Sequence, residues 1–140
     1  MEHVGIVVDD LAAATEFVVQ LGLELLGEAQ VEGRTVDRVV GLQGVQVDFA
    51  MMQTPDGSGR LELIKFHSPS SQGDNGHAPA NTLGIRHIAF VVEDIDAALA
   101  GLRAHSGELI GELERYEDIY RLCYVRGPAG IIVELAEKIG

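Results

Sequence analysis

The chain has 140 residues, so it is one ordinary domain or two small halves joined, and its 46% hydrophobic content is enough for a shared core. With 22 acidic residues against 10 basic ones, its formal net charge is −12, which excludes the basic footprint of a nucleic-acid binder and disfavours anionic membranes. The single cysteine, Cys123, excludes an intrachain disulfide and reads as a small apolar strand residue. No apolar run reaches the roughly 18 residues of a membrane span.

Residues 2–8 are apolar and β-branched and predict a buried strand entered directly from the N-terminus. No signal peptide is expected, and the expected location is the cytoplasm. Asp10 is placed to cap a helix whose apolar face is Leu11, Ala14, Val18 and Leu21, and Gly22 ends it. Residues 24–32 read as a strand, and 34–41 as either strand or a short helical turn. A strand over 45–53, a tight turn at Thr54 to Gly59 and a strand over 60–66 complete a β-α-β-β-β half. Residues 67–83, rich in Ser, Gly, Asn and Pro, read as a linker.

The second half repeats this order. A strand is expected over 85–92, then Asp94 as a cap and a helix face of Ile95, Ala98, Leu99 and Leu102. Strands near 108–115, 119–126 and 131–136 follow, the last hairpin turning at Gly127-Pro128-Ala129-Gly130. The two halves are copies. His3 aligns with His87, Asp10 with Asp94, Glu24 with Glu108 and Gly27 with Gly111, all at one offset of 84 residues, whereas Glu62 and Glu134 differ by 72. A duplication also answers a physical problem, because a chain of about 65 residues alone buries too little surface to be robust.

Each copy therefore opens with a histidine expected in a strand and closes with a glutamate in a strand. Alternation puts His3 on a face with Gly5 and Val7, and His87 with Ala89 and Val91, while Glu62 sits with Ile64 and Glu134 with Ile132. A carboxylate interrupting an apolar strand is costly unless paired or metal-bound. Two imidazoles and two carboxylates in register predict one divalent-ion site with ligands His3, Glu62, His87 and Glu134. The set suits Zn, Ni, Co, Mn or Fe, with open positions for a substrate offering two adjacent oxygens.

Other polar residues carry simpler expectations. His67 and His77 read as solvated, and His105 as partner to a helix C-terminus. Met51 and Met52 suit either pocket lining or core. Arg38, Arg60, Arg121, Tyr116 and Tyr120 are candidate contacts for a polar or anionic substrate, with a surface role the simpler reading.

The motifs HVGIVVDDLAAA, RLELIKF, IRHIAFVVEDIDAAL and GPAGIIVELAE, spanning nearly the whole chain, resemble the vicinal oxygen chelate superfamily, the glyoxalase/bleomycin-resistance/dioxygenase group. The resemblance implies an α+β fold. A single glyoxalase-like domain over 1–140 would be made of βαβββ modules at about 1–66 and 84–137, with curved mixed sheets around a metal cleft, often in a homodimer. The ligand set looks like that of glyoxalase I, a lyase working through an enediolate, and implies Glu134 as the proton-moving base with Glu62 as its counterpart. Val7 and Phe66 stand where bacterial glyoxalase I enzymes carry an arginine and an asparagine, a departure that argues against glutathione as substrate. The same resemblance leaves open a methylmalonyl-CoA epimerase-like isomerase, a bleomycin-resistance-type binding protein and an Fe(II) dioxygenase.

Overall fold

Both long helices begin where the sequence places a capping aspartate. In the computed structural model, which describes residues 1–73 and 76–140, the Asp10 carboxylate accepts from the Ala13 N–H at 3.0 Å, and Asp94 accepts from Ala97 at 3.1 Å. Helices α1 (Leu11–Gln20) and α3 (Ile95–Arg103) follow these caps. Gly22, at φ +96, ends the first by adopting a left-handed conformation that few other residues hold without strain. Between them the ambiguous segment is a helix, α2 (Arg34–Val40), which ends at left-handed Gly41. Asp37 braces the loop that follows, accepting from the N–H groups of Gly44 and Val45 at 3.0 and 2.8 Å.

The chain divides into two compact units, Met1–Asp74 and Asn75–Gly140. In the first, β1 (Val4–Val7), β2 (Glu24–Glu32), β3 (Gln46–Gln53) and β4 (Arg60–Ser68) form a mixed sheet in the order β1-β4-β3-β2. In the second, β5 (Ile88–Val91), β6 (Glu108–Tyr116), β7 (Tyr120–Arg126) and β8 (Ile132–Lys138) repeat it as β5-β8-β7-β6. In both, the first and last strands are parallel neighbours and the others antiparallel. The outcome is an α+β fold of tandem modules. Several boundaries differ from expectation, β8 (Ile132–Lys138) among them, which runs two residues further than expected. β1 and β5 are shorter, because the parallel ladders begin only at Val4↔Leu61 and Ile88↔Val133, so His3 and His87 stand one residue before their strands. β4 runs through His67 to Ser68, because its pairing with β3 continues to Gln46. Of the expected linker, Asp74 and Asn75 lie outside the described residues.

One face of each sheet is closed by its helix. In the first unit Ala14, Phe17 and Val18 of α1 are buried with Ala50, Met52, Leu61 and Leu63 of β3 and β4. In the second, Ile95, Leu99 and Leu102 of α3 are buried with Cys123, Val125, Val133 and Leu135. Alternation sends Glu62 and Glu134 to the opposite face. The core holds no polar or charged residue among those described, and no helix among them is long and apolar enough to cross a membrane.

The β3–β4 turn is held by Asp56, whose carboxylate accepts from the Thr54 and Ser58 hydroxyls, each at 2.7 Å, and from the Ser58 N–H at 3.0 Å. The Ser58 N–H leads in stabilising the charged form, and these bonds lower the Asp56 pKa from 3.8 to about 2. Because the folded value is the lower one, this stabilisation is fully present above pH 3.8 and is lost as pH falls through about 2. A carboxyl titration by NMR should place the Asp56 midpoint near 2; Thr54→Val should move it upward, and an unshifted midpoint in that variant would refute the hydroxyl's part.

Candidate metal centre

The ladders bring each histidine to its glutamate in the same way. Gly5 lies beside Glu62 in the β1–β4 register, and Ala89 lies beside Glu134 in the β5–β8 register. The histidine two residues before each small residue then projects on the glutamate's face. His3 Nε2 is 3.9 Å from Glu62 Oε1, and His87 Nε2 is 3.6 Å from Glu134 Oε1. Their exposures match as well: 36% and 24% in the first pair, 37% and 23% in the second. Within either unit, among the described residues, no three His, Cys, Asp or Glu side chains converge to hold an ion. Each unit thus brings together two of the four expected ligands.

The donor chemistry of each pair fits a divalent ion. Both separations are too long for a hydrogen bond, so neither pair is already satisfied internally. Two donors on one ion lie at most twice a bond length apart, about 4.2 Å for bonds of about 2.1 Å, and both pairs fall within that limit.

The surroundings of the pairs differ. His3 Nδ1 lies 3.3 Å from Glu2, which is 3.5 Å from Arg60 Nη1. Arg60 also donates to the Gln53 side chain at 2.7 Å, so this candidate substrate contact is already engaged at the edge of the site face. Beside His87 stands Tyr124, with ring centroids 4.8 Å apart and a 38° tilt. Tyr124 is the ladder partner of Glu134. Burial pushes its phenol pKa up, and the charge and hydrogen bonding of Glu134 add to the rise, so it stays a protonated donor at neutral pH. The sequence reading missed Tyr124, although counting outward from the Gly127–Gly130 turn pairs Arg126 with Ile132 and therefore Tyr124 with Glu134. In the first unit Met51 holds the same position, opposite Glu62 and half-buried, while Met52 is fully buried beneath α1. The two methionines thus divide the roles that the sequence left open.

The remaining candidates lie elsewhere. Arg121 is on the helix side of its sheet, paired with Asp96. His67 is not simply solvated: its Nε2 is 2.8 Å from Asp48. His105 Nδ1 sits 3.1 Å from the Gly101 carbonyl at the end of α3, as expected. Tyr116 is exposed. Cys123 is buried, and desolvation raises its pKa, leaving an inert thiol.

The repeat supplies an internal control for the small residue beside each histidine. A Cβ on Gly5 would meet only Ile64 Cδ1 at 3.6 Å, ordinary contact, and the second copy carries Ala89 there. Gly5→Ala should leave the site intact and raise stability by about 0.5–1 kcal/mol through reduced chain entropy, read from the urea midpoint; a destabilised variant would show that the space beside His3 is needed.

The comparisons agree with this architecture. The chain is 30% identical to the uncharacterized protein YaeR of Escherichia coli, covering 99% of this chain and 95% of that one. A glyoxalase family protein from Bacillus cereus is 47% identical, with a TM-score of 0.95 over 100% of this chain and 94% of that one. A fosfomycin resistance protein of Listeria monocytogenes, solved with Mn(II) and 1S,2S-dihydroxypropylphosphonic acid, shares the fold at 17% identity, with a TM-score of 0.62 over 96% of this chain and 86% of that one. A family model matches residues 1–135, and by that match the chain belongs to the Glyoxalase/Bleomycin resistance protein/Dioxygenase superfamily.

Proposed function

We propose that this protein is a divalent-metal-dependent lyase or isomerase of the glyoxalase I-like type, acting on a small substrate with two adjacent oxygens. In this reading His3, Glu62, His87 and Glu134 hold one ion, both copies of the repeat contributing. The reading is carried by the near-identity of the two histidine–glutamate pairs in register, spacing and exposure. The Mn(II)-bound relative, which shares the fold, supports a divalent ion on this scaffold.

When bound, the ion supplies Lewis-acid polarisation of a carbonyl oxygen. The chain's own groups do the rest. Glu134 takes the proton from the carbon beside that carbonyl, and Glu62 serves the opposite side of the substrate. Tyr124 supports the second pair by packing its ring against His87 from the position opposite Glu134 in the ladder. With Val7 and Phe66 on the site face of the first unit, recognition there is apolar, which fits a substrate other than glutathione.

Protein purified without chelator or affinity tag should carry one transition-metal ion per shared site. His3→Ala and His87→Ala should each lower metal affinity by more than the roughly 10- to 100-fold typical of losing an outer-shell partner. Wild-type protein that is metal-free and cannot be loaded would overturn the reading in favour of a small-molecule binding protein. Loss of metal in only one variant would overturn the joint site.

A further inference from the structure

The two copies carry different charges beside their histidines. In the first, Glu2 precedes His3 and lies 3.5 Å from Arg60 Nη1, and Arg60 donates to Gln53, its ladder partner. The charges of Glu2 and Arg60 balance. In the second, Arg86 stands where Glu2 would be by the offset of the histidines, and Ile132 where Arg60 would be by the offset of the glutamates. Arg126, the ladder partner of Ile132, takes the place of Gln53. The histidine end of the second copy therefore holds two guanidiniums.

Neither forms an ion pair among the described residues. Arg126 donates to the Ala78 carbonyl at 2.8 Å and to the Gly130 carbonyl at 3.5 Å. Glu108, its ladder partner in β6, is exposed and makes no bond to it. Arg86 reaches the Leu83 carbonyl at 3.5 Å, and its Nε is buried without a partner among the described residues. Carbonyls occupy some of the N–H groups but leave both charges uncompensated, in a chain with 22 acidic residues. Arg126 is also well placed. Its rung with Ile132 comes just before the rung of Glu134 and Tyr124, so its side chain is on the site face. Rungs on one face are about 7 Å apart. Ile132 is buried, so the arginine stem lies against apolar surface. The rung on the other side of Glu134, Ala136 with Leu122, is apolar.

We propose that Arg126 sets the substrate class of this site: the substrate carries an oxyanion, a carboxylate or a phosphoryl group, a few bonds from its two adjacent oxygens. The inference rests on reading the face of His87 and Glu134 as the substrate site. With the adjacent oxygens at the Glu134 rung, the oxyanion extends toward the Arg126 rung. A guanidinium meets either kind of oxyanion through two parallel N–H bonds, and the bond to Ala78 leaves other N–H groups free for it. Arg86 adds positive potential at the same end. The other direction along the face, over Ala136 and Leu122, takes the uncharged part of the substrate.

The test compares three compounds that share an α-hydroxyketone: neutral hydroxyacetone, hydroxypyruvate with a carboxylate, and dihydroxyacetone phosphate. Each is titrated into the metal-free full-length protein and followed by backbone amide NMR at about 0.15 M salt, where diffuse surface attraction is largely screened. An arginine contact needs no ion, so this readout separates failure of the inference from failure of the metal reading. Saturable shifts at Tyr124, Arg126 and Ile132 are expected with an anionic compound and not with hydroxyacetone at the same concentration. The tighter of the two anions identifies the group. Arg126→Gln should weaken anion binding about tenfold or more, the effect of losing a charge-assisted hydrogen bond. Arg126→Lys, which keeps the charge, should bind more tightly than Arg126→Gln. Lys138→Gln, two rungs beyond Glu134 on the same face, should bind as the wild type does. Four results would each overturn the proposal: no saturable shift with either anion at tens of millimolar, hydroxyacetone binding as tightly as the anions, equal binding by the Gln and Lys variants of Arg126, or loss of anion binding in Lys138→Gln.

Discussion

Glu134→Gln is expected to slow hydrogen exchange at the substrate carbon by about 100- to 10,000-fold, the contribution of a positioned general base. The measurement is deuterium incorporation from heavy water into the C–H beside the carbonyl of α-hydroxycarbonyl compounds, followed by NMR with metal-loaded protein. Glutamine keeps the size and one carbonyl donor but cannot accept the proton, so the variant separates proton transfer from packing. Metal content must be measured on the same sample, because Glu134 is also a proposed ligand. A metal-loaded Glu134→Gln variant with wild-type exchange would remove Glu134 from the base role. Should Glu62→Gln show the deficit instead, the proton would be assigned to the first copy. Tyr124 touches the second pair and has no counterpart beside the first, where Met51 stands, and this asymmetry favours Glu134.

Phe17→Ala is the substitution expected to damage the fold most. Phe17 is completely buried on α1, amid Ala50, Met52 and Leu63, each also without exposed surface. Removing an aromatic side chain from such a place costs about 3–5 kcal/mol, transfer and cavity together. That is a large share of the roughly 5–15 kcal/mol that stabilises a domain. Urea denaturation should show the loss as a lower midpoint, while Val19→Ala, on the 45% exposed side of the same helix, should change stability by no more than about 0.5 kcal/mol. Equal effects would mean that α1 does not dock through Phe17.

Much of this was legible before any coordinates. The repeat fixed the order of strands and helices in both halves, because a capping aspartate, an apolar helix face and glycine or proline turns recur at matching places. Strand alternation grouped His3 with Gly5 and Glu62 with Ile64, and the ladders put both groups on the face opposite the helix. The failures have physical causes. Residues 34–41 stayed ambiguous because a seven-residue helix rich in β-branched Val and Thr, with no side-chain cap at Gly33, has no local signal stronger than its neighbours; it is held by the bonds of Asp37 to the loop after it and by the left-handed Gly41. For Arg121 the surface role was the simpler reading; what stayed hidden was its partner, because its face depends on hairpin register, and the ladder turns it toward Asp96 on α3. His67 looked solvated because its partner Asp48 is distant in sequence. Pairing across a hairpin or between strands is decided by the whole sheet, which no single segment reveals.

The apolar interior of each unit bears on how the candidate metal centre can be tested. Because the core is purely apolar among the described residues, and the four proposed ligand side chains sit on partly open surface, cohesion of each unit should not depend on an ion. Stripping and refilling should therefore be reversible, with the polypeptide acting as a socket and not as a shell that collapses when emptied. One preparation can be charged in turn with zinc, nickel, cobalt, manganese or iron, and the rate with each compared on identical protein.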